Sequence, residues 1–322
     1  ANYDQWEEEH REDNGLFWQI DNRDGMEVSI GGSGCRATIN SYQYGDALAI
    51  AEIAELADRP EVARKYQEKA ARIKRLVQEQ LWDPEKNFFM VKNRKTGELA
   101  DARELHGYVP WYFKMPDPGY EKAWKQLMDE QGFYAPYGPL TAERRHPKFR
   151  FEHGHDCQWN GPSWPFATSQ TLVAMANLLN NYDQTVVDKE DYFTILKNYA
   201  RSQYKNDQPW IAENLDGDTG KWIVDKGRSV FYNHSEYCDL IITGLVGLRP
   251  AADDTLTVNP LVPEDQWDWF CLDNVSYHGR DVTIMWDRTG ERYDRGQGFH
   301  VLVDGKEVAA SRKLGKLTVE LD

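Results

Sequence analysis

Two acidic loops hold the residues best suited to chemistry. The first is Asp21-Asn-Arg-Asp-Gly-Met-Glu-Val-Ser29, which runs on into Ile30-Gly-Gly-Ser-Gly34. The second, far downstream, is Trp210-Ile-Ala-Glu-Asn-Leu-Asp-Gly-Asp-Thr-Gly220. A loop crowded with ionisable groups is costly to order, and such loops concentrate at functional sites. Cleaving a glycosidic bond takes one protonated acid at the leaving oxygen and a second carboxylate across the sugar ring. Where the second group activates a water, the two stand roughly 6.5–9.5 Å apart. Asp24 and Glu27 are the candidates on the first loop, and Glu213 on the second. Taken singly, each is an ordinary solvated loop acid. The aromatic and glycine residues around them favour a pocket.

Other polar clusters are weaker. Residues 132–161 form a long segment with little periodicity, holding His146, His153, His155, Asp156, Trp159, Asn160 and Gly161. Loops this long in a compact domain are functional or disordered, and the aromatic content argues against disorder. His153-Gly-His155-Asp156 lacks the spacing of a zinc helix motif, so hydrogen bonding to sugar hydroxyls or loop packing is the better reading. Asp216-Gly-Asp218 lacks the further ligands of a calcium loop and reads as a turn. No metal and no redox cofactor is implied. Phe231-Tyr-Asn-His-Ser-Glu-Tyr237 either caps the next helix through Asn233 or Ser235 or forms a polar pocket wall through His234.

Composition narrows the class. The 322 residues carry a net charge of −15, which argues against nucleic acid and anionic membrane as partners. No stretch approaches the ~18 apolar residues of a membrane span. Aromatics make up 13% of the chain, with 12 Trp and 17 Tyr, and many lie in loops where they could stack on sugars. The four cysteines are scattered without a CxxC pair and read mostly as buried thiols. The compartment is not readable.

The elements that must position these loops are mostly helices. A polar helix covers residues 2–13. After the first loop, Thr38 or Asn40 caps a helix with an apolar face of Leu48, Ala51, Ile53, Ala54 and Leu56. Pro60 opens a third helix bearing Val62, Tyr66, Ala70, Ile73, Leu76, Val77 and Leu81. Shorter helices are expected over 104–113 and 119–131, longer ones over 163–182 and 188–205, and a very apolar one over 235–248 that Pro250 stops. Beyond it, 255–258, 270–277, 281–286, 298–303 and 316–321 alternate like strands, with Asp304-Gly305 a hairpin signal between the last of them. The plan is thus mainly α: about eight helices over 1–250, arranged as a toroid of helical hairpins, then a small β-sandwich over 251–322.

At the level of motifs the chain resembles a known group. Asp24-Gly-Met-Glu-Val-Ser29 is similar to the Ser-Gly-(Trp/Leu/Met)-Asp-x-Ser segment of the (α/α)6-barrel, or six-hairpin, glycosidases, which include trehalases, processing α-glucosidases and mannosylglycerate hydrolases. Gln158-Trp-Asn-Gly-Pro-Ser-Trp-Pro165 resembles that family's sugar-binding Trp-x-Gly-Pro-x-Trp segment. Ile211–Gly220 resembles its Tyr-Glu-Asn-Tyr-(Asp/Asn)-x-x-(Thr/Ser)-Gly segment. All three fall in the family's order, and the mannosylglycerate-hydrolase-like group is the nearest in character. The resemblance implies Glu27 as general acid, with Asp24 its neighbour and tuner, and Glu213 as general base. Trp18, Arg23, His155, Trp159, Asn160, Trp164 and His234 would position the sugar, with Gly161 part of the binding segment. Two departures stand out. The family's acid is usually Asp, and Glu27 reaches one methylene further. The family's barrel has twelve helices, so the resemblance implies that about the first four lie on a missing N-terminal part of the same enzyme, without which the chain would be poorly stable or aggregate.

The expected function is therefore inverting hydrolysis of an oligo- or polysaccharide, with plant polysaccharides among the candidate substrates. The rivals are a non-catalytic carbohydrate-binding module, a phosphorolytic enzyme on the same barrel, and a related lyase.

Overall fold

The computed structural model describes residues 2–23, 25–151, 154–224, 226–231 and 236–321. They form two compact units, one of 1–187 with 197–235, the other of 188–196 with 236–322.

The first unit is built on α1 (Asn2–His10), α2 (Ala37–Leu56) and α3 (Pro60–Gln80). Ala47 and Ala51 of α2 offer small side chains, and Tyr66 and Ala70 of α3 pack on them with Tyr3 of α1. Pro60 sits at the start of α3, where its missing N–H costs nothing. Ile53 and Leu56, expected on the buried face of α2, are exposed instead, because the alanines carry the α2–α3 seam. Nor do Thr38 and Asn40 cap α2. The Thr38 hydroxyl donates to Gln19 Oε1 at 2.9 Å, and the Asn40 amide both accepts from Phe17 N and donates to Phe17 O at 2.8 Å. Both tie the incoming chain to the helix.

Between α3 and the next long helix lies an aromatic core rather than regular structure. Phe88, Tyr108, Trp111, Trp124 and Phe133 are fully buried, with Tyr108 stacked on Trp124 at 4.3 Å between ring centroids. The helix expected over 104–113 is a 3-10 turn, Leu105–Tyr108, followed by α4 (Val109–Tyr112). The one expected over 119–131 shrinks to a 3-10 stretch, Glu121–Gln126. Ring packing sets these segments, so helical periodicity misreads them. The helix α5 (Pro165–Asn181) falls as expected, and α6 (Lys189–Ser202) closely so.

In the second unit, Tyr237–Asp239 is a single α turn that continues as a π-helix, Leu240–Leu245. Sequence patterning puts a boundary at 250, yet these residues belong with the strands. Leu261 N donates to Leu245 O at 3.0 Å, and Leu248–Arg249 pairs with Thr257–Val258. Two antiparallel sheets follow. One orders Leu317–Glu320, Thr255–Val258 and Leu248–Arg249. The other is a four-stranded meander of Trp269–Tyr277, Arg280–Asp287, Gly298–Val303 and Lys306–Ser311. Asp304-Gly305 does form a hairpin turn, with φ of 50° and 76°. Its second strand is Lys306–Ser311, which patterning misses because most of its residues are exposed and lack alternation.

One buried ion pair anchors the first acidic loop to the first unit. Arg36, 0% exposed just before α2, donates through Nη2 to Asp21 Oδ1 at 2.8 Å, Ser29 Oγ at 2.7 Å and Gly32 O at 2.7 Å. Replacing Asp21 by Ala removes a charge-assisted partner of that guanidinium and should cost about 1.5–3 kcal/mol of unfolding free energy. Chemical denaturation measures this. A loss under about 1 kcal/mol would show the pair to be incidental.

Candidate active site

Asp21 organises the loop from below. Its carboxylate accepts Val28 N and Ser29 N at 3.2 Å each, and the Ser29 hydroxyl also donates to it. A second buried acid, Glu104, accepts Ile30 N at 2.9 Å and Gly31 N at 3.1 Å. Gln19 and Gly34 pair their backbones at the base of the loop. Held this way, the chain turns sharply at Val28, a β-branched residue at φ 60°. That conformation is strained and is kept only where the surroundings over-determine it. It falls directly after Glu27.

The segment 156–164 then joins the two acidic loops. Trp159 N donates to Glu27 O at 3.1 Å. Asn214 Nδ2 donates to Asp156 O at 2.9 Å. Ser163 and Leu215 exchange backbone hydrogen bonds at 2.9 and 3.0 Å. Glu213 itself precedes the short strand Asn214–Leu215, which pairs with Trp222–Val224. Gly161 serves this join rather than the sugar directly, since a Cβ there would lie 2.2 Å from Arg150 O. Asn160 is buried beside it, and its backbone oxygen accepts Arg150 N.

These joins enclose a cleft of about 830 Å³ lined by Glu27, Glu213, His155, Trp159 and Trp164, all read from sequence as site residues. The two acids differ in their surroundings. Glu213 is 4% exposed and accepts from the Ser229 hydroxyl at 3.0 Å and from Arg228 at 2.8 Å, both at Oε1. Glu27 Oε2 is buried and has no hydrogen-bond partner among the described residues. Arg228 also reaches Asp156 at 3.1 Å, and Lys226 pairs with the same carboxylate. Lys226 first, then Arg228, hold Asp156 below the usual carboxylate range by hydrogen bonding to its charged form. The Cys157 thiol, beside Glu27 and 3.2 Å from Gly25 O, is pushed up to about 12, chiefly by burial and then by that carboxyl.

The remaining expected site residues sit elsewhere. Trp18 packs on His10, with the Arg94 guanidinium 3.4 Å over its ring, and it does not line the cleft. Arg23 is exposed and lines an adjoining groove. Asp24 and His234, like His153, Asn233 and Ser235, lie outside the described residues. Trp159 and Trp164 stack on each other at 5.0 Å, so each ring gives one face to its partner. Asp216–Asp218 is a turn: Asp216 accepts Asp218 N and Thr219 N, and Asp218 pairs with Arg144. Among the described residues no group of three or more His, Cys, Asp or Glu side chains is placed to hold a metal.

Several cleft residues escaped sequence reading: Gln19, Thr38, Tyr42, Phe166, Gln170 and Arg228. The signal was present for four of them. Thr38 and Tyr42 on α2, and Phe166 and Gln170 on α5, are pairs four residues apart, hence on one helix face. The Gln170 amide donates to the Tyr42 hydroxyl across the cleft wall. Both helices bury polar residues at their N-terminal ends, which a purely structural helix avoids.

The chain belongs to the mannosylglycerate hydrolase MGH1-like glycoside hydrolase family, whose sequence profile matches residues 1–235. Residues 248–310 match the C-terminal domain of glycosyl hydrolase family 65. A solved structure named sialidase is 49% identical over 98% of this chain, with a TM-score of 0.95, and this chain spans 30% of that chain's length. A GH63 mannosylglycerate hydrolase from Thermus thermophilus, solved with glucose, is 17% identical with a TM-score of 0.48, covering 59% of this chain and 44% of its own. The same enzyme solved with Tris and D-glycerate is 18% identical with a TM-score of 0.48, covering 59% and 42%.

Cys157 offers a probe of the site. Its raised thiol should resist iodoacetamide at pH 8, as should the buried Cys35, raised by burial to about 11, while the exposed Cys238 reacts. Peptide mass mapping over time should show Cys238 labelled at least about 100-fold faster. Equal rates would mean the contact between Cys157 and the Glu27 loop does not persist.

Proposed function

We propose that this domain hydrolyses a glycosidic bond of an oligo- or polysaccharide by single displacement with inversion. The observation that carries the reading is that Glu27 and Glu213, from loops far apart in sequence, line one cleft and meet contrasting surroundings there. Acid and base roles require that kind of asymmetry. Glu27, whose Oε2 has no donor among the described residues, gives its proton to the leaving oxygen as the C–O bond breaks. Glu213, supplied with donors suited to a carboxylate, takes a proton from the water that attacks the anomeric carbon from the opposite face. Trp159 or Trp164 supplies a flat face for the sugar, and His155, Gln170 and Tyr42 supply polar contacts. The motifs that match the six-hairpin glycosidases support the same roles, and with them we propose that the helical hairpins form part of an (α/α)6 toroid.

Arginine is the side chain that binds a carboxylate in two-pronged fashion. The arginine lining this cleft, Arg228, already engages Glu213 and Asp156. That favours a neutral sugar at the cleaved position over an acidic one.

Glu27→Gln and Glu213→Gln should each lower kcat on a reducing-sugar assay with plant-polysaccharide oligosaccharides by at least about 10²–10⁴-fold, with melting temperature preserved. Either variant retaining near-wild-type turnover would remove that residue from the mechanism. Loss of sugar binding in the wild type across the panel would remove the proposal.

A further inference from the structure

Beside the cleft lies a second groove of about 550 Å³, lined by Trp6 and His10 of α1, by Ile20 and Arg23 of the first loop, and by Ile39 of α2. Gln19 and Tyr42 line both cavities, so the groove and the cleft share a wall. Its Ile20 and Arg23 come from the start of the loop that carries Glu27, the proposed proton donor to the leaving oxygen.

The groove has the chemistry of a sugar platform. Trp6, His10 and Trp18 form a row of rings with centroid spacings of 4.5 and 4.6 Å. Arg94, paired with Glu12, covers the ring of Trp18 behind them. His10 Nδ1 is buried with no hydrogen-bond partner among the described residues, although an unsatisfied imidazole nitrogen is costly. Ile20 and Ile39 present apolar surface, and Arg23 brings exposed donors. A pyranose has an apolar C–H face and a rim of hydroxyls. It would lie against Trp6 and His10 and bring hydroxyls to Arg23.

Resting on the hydrolytic reading above, we infer that this groove binds the sugar units on the leaving-group side, so that the substrate is an oligosaccharide of three or more units rather than a glycoside with a small aglycone. Contacts made far from the reacting bond raise kcat/KM when they hold the substrate in its reacting position. Arg23 thereby finds a place beside the acid-bearing cleft rather than within it.

The test is a ladder of reducing-end-labelled plant cell-wall oligosaccharides of two to six units. Wild-type kcat/KM should rise by at least about tenfold from the dimer to the tetramer. Trp6→Ala should lower kcat/KM on the tetramer at least about tenfold more than on the dimer, and the exposed Arg23→Ala, which should fold normally, should act in the same sense. Calorimetric binding of the same ladder to Glu213→Gln separates this inference from the mechanism. Affinity that tightens with length and flattens when Trp6→Ala is added supports the groove even if no rung is hydrolysed, an outcome that would sink only the catalytic assignment. Length-independent kcat/KM and affinity, no binding of any rung, or equal losses on all rungs in both variants would overturn it.

Discussion

The buried guanidinium of Arg36 is the constraint on which the site depends. A charge removed from water must be matched by a counter-charge and by hydrogen bonds, or it destabilises the fold. Arg36 finds its matches in Asp21, Ser29 and Gly32, which bracket the first acidic loop. Asp21 in turn holds the backbone on the far side of Glu27, and Glu104 holds the residues after it. The requirement to satisfy two buried charges thus becomes a fixed position for a carboxyl that the fold itself does not need. The positive φ at Val28 marks where that position is enforced against backbone preference.

The second acid is fixed by ordinary strand pairing. Ser163 pairs with Leu215 two residues past Glu213, and Trp159 bonds the backbone of Glu27. The short run between Trp159 and Ser163 therefore measures out the distance between the acids. Gly161 allows the run to press against the backbone of Arg150, so its length cannot relax. The aromatic pair Trp159–Trp164 brackets the same run, which places the stacked rings and the two carboxyls on one piece of backbone geometry.

Much of this was legible in the sequence, for physical reasons. Glu27 and Glu213 stood out because acids crowded among glycines and aromatics have little structural purpose. The long helices showed because α3 and α5 repeat their buried residues at helical spacing. The supports did not show. Asp21 and Arg36 look like solvated charges until burial is known, and Glu104 has nothing near it in sequence that announces the loop it holds. Trp111 and Trp124 are core, and composition alone did not tell them from Trp159, which lines the cleft; only the Trp-x-Gly-Pro-x-Trp resemblance set Trp159 apart. The same limit blurred the segments 104–113 and 119–131, where ring stacking replaces periodicity. On α2, large apolar residues suggested the buried face, while the packing seam chose alanines. Lys306–Ser311 went unread because an exposed strand has no inward face to alternate.

The central claim is that Glu27 and Glu213 act as acid and base across a water rather than through a covalent sugar intermediate. Proton NMR of the first sugar released from a hydrolysed oligosaccharide, recorded before mutarotation, tests it most directly. The account predicts an anomer opposite to that of the bond cleaved. A first product with the same anomeric configuration would mean that one of the two carboxyls attacks the sugar itself, and would contradict it.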